Sequence, residues 1–150
     1  MGDRHDPRMH TAEHLLNQAM VRTLECGRCF SAHLNRKKSK CDYHLTRDIT
    51  ENEKAAIEGL VNQAIASDLE VAEEYWARSE ALNEFDLTRL PEASGDTVRI
   101  VRIGNFDVCP CIGPHVRTTG ELGSFTITTR DFADGVLRLR FKLNAGPRDG

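Results

Sequence analysis

The chain has 150 residues, 39% hydrophobic and 29% charged with few aromatics, the profile of a globular protein long enough to bury one sizeable core. Its net charge of −3, from 20 basic and 23 acidic residues, argues against broad electrostatic binding to nucleic acid and leaves room for a local basic patch. No apolar run approaches the ~20 residues of a membrane span, and the polar start Met1-Gly2-Asp3-Arg4-His5-Asp6 has no signal-peptide core, so the expected location is cytoplasmic.

Asp6-Pro7 reads as a helix start, because Asp caps free amides and Pro suits the first helical position. The helix continues through Leu16, Ala19, Met20 and Leu24 at helical spacing, with Gly27 just past its end. Phe30, Ala32 and Leu34 then alternate with polar neighbours, Asn35-Arg36-Lys37-Lys38-Ser39-Lys40 forms a charged turn, and Cys41 to Leu45 returns as a second strand. Thr50-Glu51-Asn52-Glu53 fits a capping box opening an amphipathic helix with Ile57, Leu60, Val61, Ala64 and Ile65 on one face. A short strand is expected over Leu69 to Ala72, a short helix over Ser79 to Phe85 and a loop over Pro91 to Asp96.

The last third turns to strands. Val98 to Ile103 forms one, Phe106-Asp107-Val108 leads into a cysteine loop, and Phe125, Ile127 and Phe132 belong to another. Asp134-Gly135 is a turn signal before Val136, Leu137, Leu139, Phe141 and Leu143. The expectation is an α+β domain over residues 1–150, with a mainly antiparallel sheet packed against the long N-terminal helix and the second amphipathic helix.

Chemistry concentrates in two segments. His10 and His14 stand four apart on the first helix and so share a face, which lets both imidazoles reach one cation, zinc being the usual one. Cys111 and His115 frame a loop whose Gly113 and Pro114 disfavour a helix, and together the four make a sulfur and three nitrogens, a set that suits tetrahedral zinc. Glu13 does not directly follow the first histidine, as a metalloprotease base would, and is read as facing solvent. Five cysteines in a chain with no export signal point to reduced thiols or metal ligands. One rival scheme joins Cys26 and Cys29 to Cys109 and Cys111 as a four-cysteine site, and Cys29 with His33 repeats the Cys111–His115 spacing; the spacing alone leaves these open.

Asp6-Pro7-Arg8-Met9-His10-Thr11-Ala12-Glu13-His14-Leu15-Leu16 resembles the opening motif of alanyl-tRNA synthetase editing domains and their free-standing relatives. Ile103 to Gly123, with Cys109-Pro110-Cys111-Ile112-Gly113-Pro114-His115 at its centre, resembles the second motif of that family, and Gly-Pro-His is also similar to the editing domain of bacterial threonyl-tRNA synthetases. The resemblance covers nearly the whole chain. It implies a zinc-dependent hydrolase that deacylates mischarged tRNA in trans, with serine or glycine on alanine tRNA, or serine on threonine tRNA, as substrates. It also implies His10, His14, Cys111 and His115 as zinc ligands, and with 150 residues a free-standing member without an activation domain is the expectation.

Two departures stand out. Ile112 and Pro114 replace residues of the usual Cys-Gly-Gly-Thr-His, and Cys109 adds a thiol beside the site, read as a small buried residue. Bound zinc lowers the pKa of water to about 7 or polarises a carbonyl, so the implied catalytic group is a zinc-bound water, with no side chain assigned as general base. Ser31, His33, Ile112 and Gly113 are the expected substrate contacts; Arg36, Lys37, Lys38 and Lys40 are candidates for acceptor-stem phosphates, or simply a solvated loop. Two other classes fit the same ligands: a non-catalytic zinc module that binds RNA or a protein, and a zinc hydrolase for a small ester. Deacylation of mischarged tRNA separates the first reading from both.

Overall fold

The computed structural model describes residues 6–85 and 96–144. The expected loop over Pro91 to Asp96 lies outside them except for Asp96, and so does the polar start up to His5. Helix α1 spans Pro7–Leu24; the Asp6 carboxylate accepts from the amides of Arg8 and Met9 and caps it. Its end is closed by Glu25 in a left-handed conformation, two residues before Gly27. Strands β1 (Ser31–His33) and β2 (Ser39–His44) form the expected hairpin, with the second strand beginning two residues before Cys41.

Helix α2 (Glu51–Ala66) opens on the capping box, Thr50 and Glu53 each satisfying the other's backbone amide. Ile57, Val61, Ala64 and Ile65 are buried and Leu60 is half-buried, as the stripe requires. They pack in one apolar core with Leu15, Leu16, Ala19 and Met20 of α1.

Strand β3 runs over Val71–Ala77, longer than the expected Leu69 to Ala72. Its length is hidden in the sequence by Glu73 and Glu74, which a sheet-edge strand tolerates because Glu73 is exposed, Glu74 half-buried, and both pair with arginines on the neighbour. Glu73 meets Arg99 at 2.8 Å and Glu74 meets Arg102 at 2.6 Å. Helix α3 (Arg78–Leu82) follows, then β4 (Thr97–Ile103) and β5 (Asp107–Pro110).

The expected single sheet is two. A four-stranded sheet has the order β1-β2-β7-β6, with β6 at Ser124–Ala133 and β7 at Val136–Asn144; the other has the order β3-β4-β5. Every pairing between these strands is antiparallel. The division is visible in β4, whose two faces are both apolar. Val101 and Ile103 enter the main core, while Val98 and Ile100 meet Ala81, Trp76 and Phe85 on the other side.

In β6 the register shifts between Ile127 and Thr129. This bulge absorbs one residue, so Phe125, Ile127 and Phe132, whose spacing breaks strict alternation, all reach the core side. Asp134 and Gly135 both have positive φ, the conformation of a two-residue hairpin turn.

Candidate metal centre

Helix α1 and the segment after β5 bring His10, His14, Cys111 and His115 together. Each offers one donor atom, and the four atoms lie within 4.8 Å of one another. The Sγ of Cys111 is 3.3 Å from His10 Nε2 and 3.5 Å from His115 Nε2. All but His115 are buried.

The outer nitrogens explain why the rings face this way. His10 Nδ1 lies 3.1 Å from the Pro114 carbonyl, which only accepts, so this nitrogen carries the hydrogen and Nε2 turns inward. The Thr11 hydroxyl donates to the Pro7 carbonyl at 2.8 Å; it therefore accepts from His115 Nδ1 at 2.9 Å and from the Val116 amide. His14 Nδ1 points to Asp107 at 3.4 Å and to Cys109 Sγ at 3.3 Å, which leaves Nε2 for the cluster. Metal-binding imidazoles are oriented by such outer partners.

Asp107 is itself held. Arg28 donates to both its oxygens at 2.9 and 3.1 Å, and Gln18 donates at 2.8 Å. Burial alone would raise the Asp107 carboxyl, but the hydrogen bond from His14 and the charge of Arg28 hold it well below the usual carboxylate range. Burial likewise pushes the Cys111 thiol up, yet the His10, His115 and His14 rings around it outweigh this and draw the thiol down to about 3. For His115, burial and the neighbouring imidazoles push the ring down to about 4 against the pull of Cys111. Burial also lowers His14, but Cys109, Asp107 and Cys111 reverse this and raise it well above the usual imidazole value. A Cys111 thiolate beside the neutral His115 ring is the ionic form in which these groups bind a cation, and His14 gives up a proton to join them.

The loop is fixed from β4. Arg99 donates to the carbonyls of Cys111 and Gly113 at 3.2 and 2.8 Å, and the Cys111 amide donates to the Arg99 carbonyl. A β-carbon at Gly113 would collide with the His10 ring, so glycine is what allows this loop to lie on α1. The donor set fits zinc: one sulfur and three nitrogens converge with their orienting partners in place.

The other expected residues divide. Ile112 is 60% exposed and does not fill the cluster. Ser31 is half-buried and His33 exposed on β1, and neither is among the clustered donors. Arg36, Lys37 and Lys38 are exposed in the β1–β2 turn, while Lys40 is half-buried on β2. The four-cysteine scheme does not form: Cys29 meets Glu13 and Cys41, Cys109 meets His14 and Asp107, and the Cys26 thiol donates to the Met20 carbonyl. Glu13, expected in solvent, is largely covered, with Oε1 3.7 Å from His10 Nε2. Thr11, Arg28, Arg99 and Asp107 were not expected at the site. A signal was present only for Asp107, two residues before the cysteine pair, since the others act through contacts that no spacing encodes.

Residues 98–140 match the family model described as the threonyl and alanyl tRNA synthetase second additional domain. Over most of its length the chain is similar to alanine–tRNA ligases. It is 35% identical to that of Treponema denticola over 136 residues, covering 89% of this chain and 23% of the ligase. With the Treponema pallidum ligase it is 35% identical over 139 residues, 87% of this chain and 22% of the ligase. The Methanopyrus kandleri ligase gives 33% over 142 residues, 89% of this chain and 15% of the ligase. The chain thus spans less than a quarter of the length of these relatives.

Proposed function

We propose that this chain, similar to alanine–tRNA ligases and matching the second additional domain over residues 98–140, is a zinc-dependent hydrolase that deacylates mischarged tRNA. The substrates in this reading are serine or glycine esterified to alanine tRNA, with serine on threonine tRNA as the alternative, attacked in trans. The observation that carries it is the convergence of His10, His14, Cys111 and His115, with one donor atom of each turned inward and the outer nitrogens engaged.

His10, His14, Cys111 and His115 would hold the zinc ion, which supplies Lewis acidity and an activated water for ester hydrolysis. The chain's own residues do the positioning. Asp107, anchored by Arg28 and Gln18, keeps His14 aimed inward; Thr11 does the same for His115, and the Pro114 carbonyl for His10. Arg99 holds the loop so that Ile112 stands exposed beside it, available to narrow the amino-acid pocket. Ser31 and His33 are assigned as polar contacts to the amino acid, and Arg36, Lys37, Lys38 and Lys40 as contacts to acceptor-end phosphates.

A pocket of this kind separates amino acids weakly by one methylene, about 10–200-fold, and far more when it must pair a hydroxyl. Seryl-tRNA is therefore cut faster than alanyl-tRNA. Ile112→Gly widens the range of amino acids accepted, measured as relative rates on seryl-, glycyl- and alanyl-tRNA. Equal rates on all three with the wild type would remove Ile112 and the β1 residues from selectivity.

A second reading has one observation in its favour. Four protein donors make a closed set, as in structural zinc sites, which suits a non-catalytic module that binds RNA or protein. Folded, zinc-loaded protein that binds tRNA without releasing any amino acid decides for that reading.

A further inference from the structure

Beside the four-residue centre lies a second group of donors with no part in it. Glu13 of α1, Cys29 of the segment entering β1 and Cys41 of β2 each offer one donor atom, and these three atoms lie within 4.8 Å of one another. Cys29 is 2% exposed and Cys41 fully buried. The Cys29 thiol donates to Glu13 Oε2 at 3.4 Å.

The scaffold around them is fixed independently. Asn17, one turn beyond Glu13 on α1, accepts from the Cys29 amide at 3.1 Å and from the Tyr43 hydroxyl at 2.7 Å through the same oxygen. One side chain thus ties α1, the Cys29 segment and β2 together next to the donors. Cys41 is paired on both sides, with Ala32 of β1 and Leu139 of β7. A carboxylate turned toward two buried thiols is a costly choice for packing alone, since small apolar side chains fill that space without a polar group to satisfy.

We propose that Glu13, Cys29 and Cys41 form a second metal site that binds one thiophilic divalent cation of the zinc type. Two sulfurs and a carboxylate oxygen match zinc-like ions and disfavour Mg2+ and Ca2+, which take oxygen shells. Two thiolates and a carboxylate around a divalent cation leave one negative charge. The site also touches the first: Glu13 Oε1 stands 3.7 Å from His10 Nε2, so a cation that draws this carboxylate alters the surroundings of a ligand of the four-residue centre.

This site stands apart from the deacylase reading, because binding is measured without tRNA. The experiment is Co2+ titration of the metal-stripped full chain, read by elemental stoichiometry and by the thiolate-to-cobalt absorption. The wild type is expected to take up a second ion after the first, with a further rise of the sulfur band. Cys29→Ser and Cys41→Ser lose that second ion and its part of the band, while Cys111→Ser loses the ion at the four-residue centre instead. Glu13→Gln, a nearly isosteric change, weakens the second ion by at least about tenfold. Circular dichroism checks that each variant folds; should the buried serine variants unfold, the wild-type stoichiometry and Glu13→Gln decide. A single ion at saturating Co2+, with the band unchanged in Glu13→Gln, overturns the proposal.

Discussion

Each imidazole of the four-residue centre has one nitrogen engaged by the protein and one turned inward, so affinity for the cation depends on residues that never touch it. Asp107→Asn keeps the shape but removes the charge that orients His14, and zinc should bind about 10–100-fold more weakly in chelator competition. An unchanged affinity would mean that His14 is placed by packing alone. Gly113→Ala should weaken zinc as well, because the added methyl displaces the His10 ring. Cys111→Ala should lose the ion of the four-residue centre while Cys26→Ala keeps it by elemental analysis; loss in Cys26→Ala as well would revive the four-cysteine scheme. At this scale the ligands are legible in the sequence, because helical spacing puts His10 and His14 on one face and Gly113-Pro114 shapes the loop between Cys111 and His115. Asp107, Arg28, Thr11 and Arg99 are not, since their roles exist only once α1, β4 and β5 are packed together.

Among the elements, the two long helices and the β6–β7 turn carry strong local signals. The capping box and the apolar stripe of α2 agree, and Ile57→Ala should cost about 2–5 kcal/mol in urea denaturation, as for a fully buried aliphatic side chain. Leu60→Ala, at a half-buried position, should cost clearly less; equal losses would mean that the stripe is centred elsewhere. Gly135 has φ of 79°, so Gly135→Ala should destabilise the hairpin by about 1 kcal/mol or more. The second sheet is harder to read. Glu73 and Glu74 make β3 look like a loop, and which strand pairs with β4 is decided by partners far along the chain. Glu13 misleads for the same reason: an acidic residue on a helix reads as solvent-facing until the β1–β2 hairpin covers it.

For the whole molecule, the centre joins α1 to the segment after β5, over 100 residues apart in the chain, so the ion acts as a cross-link between N- and C-terminal parts. Stripping zinc should lower the melting temperature, and restoring it at 1,000-fold above its dissociation constant should return about 4 kcal/mol. An unchanged melting temperature would show that the folded chain does not bind the ion in preference to the unfolded one. Catalysis is tested by incubating folded, zinc-loaded protein with seryl-, glycyl- and alanyl-tRNA of the alanine and threonine types. Serine should be released faster than alanine, and the release should be lost in Cys111→Ala. No release above the buffer rate from any of these tRNAs would contradict the deacylase reading.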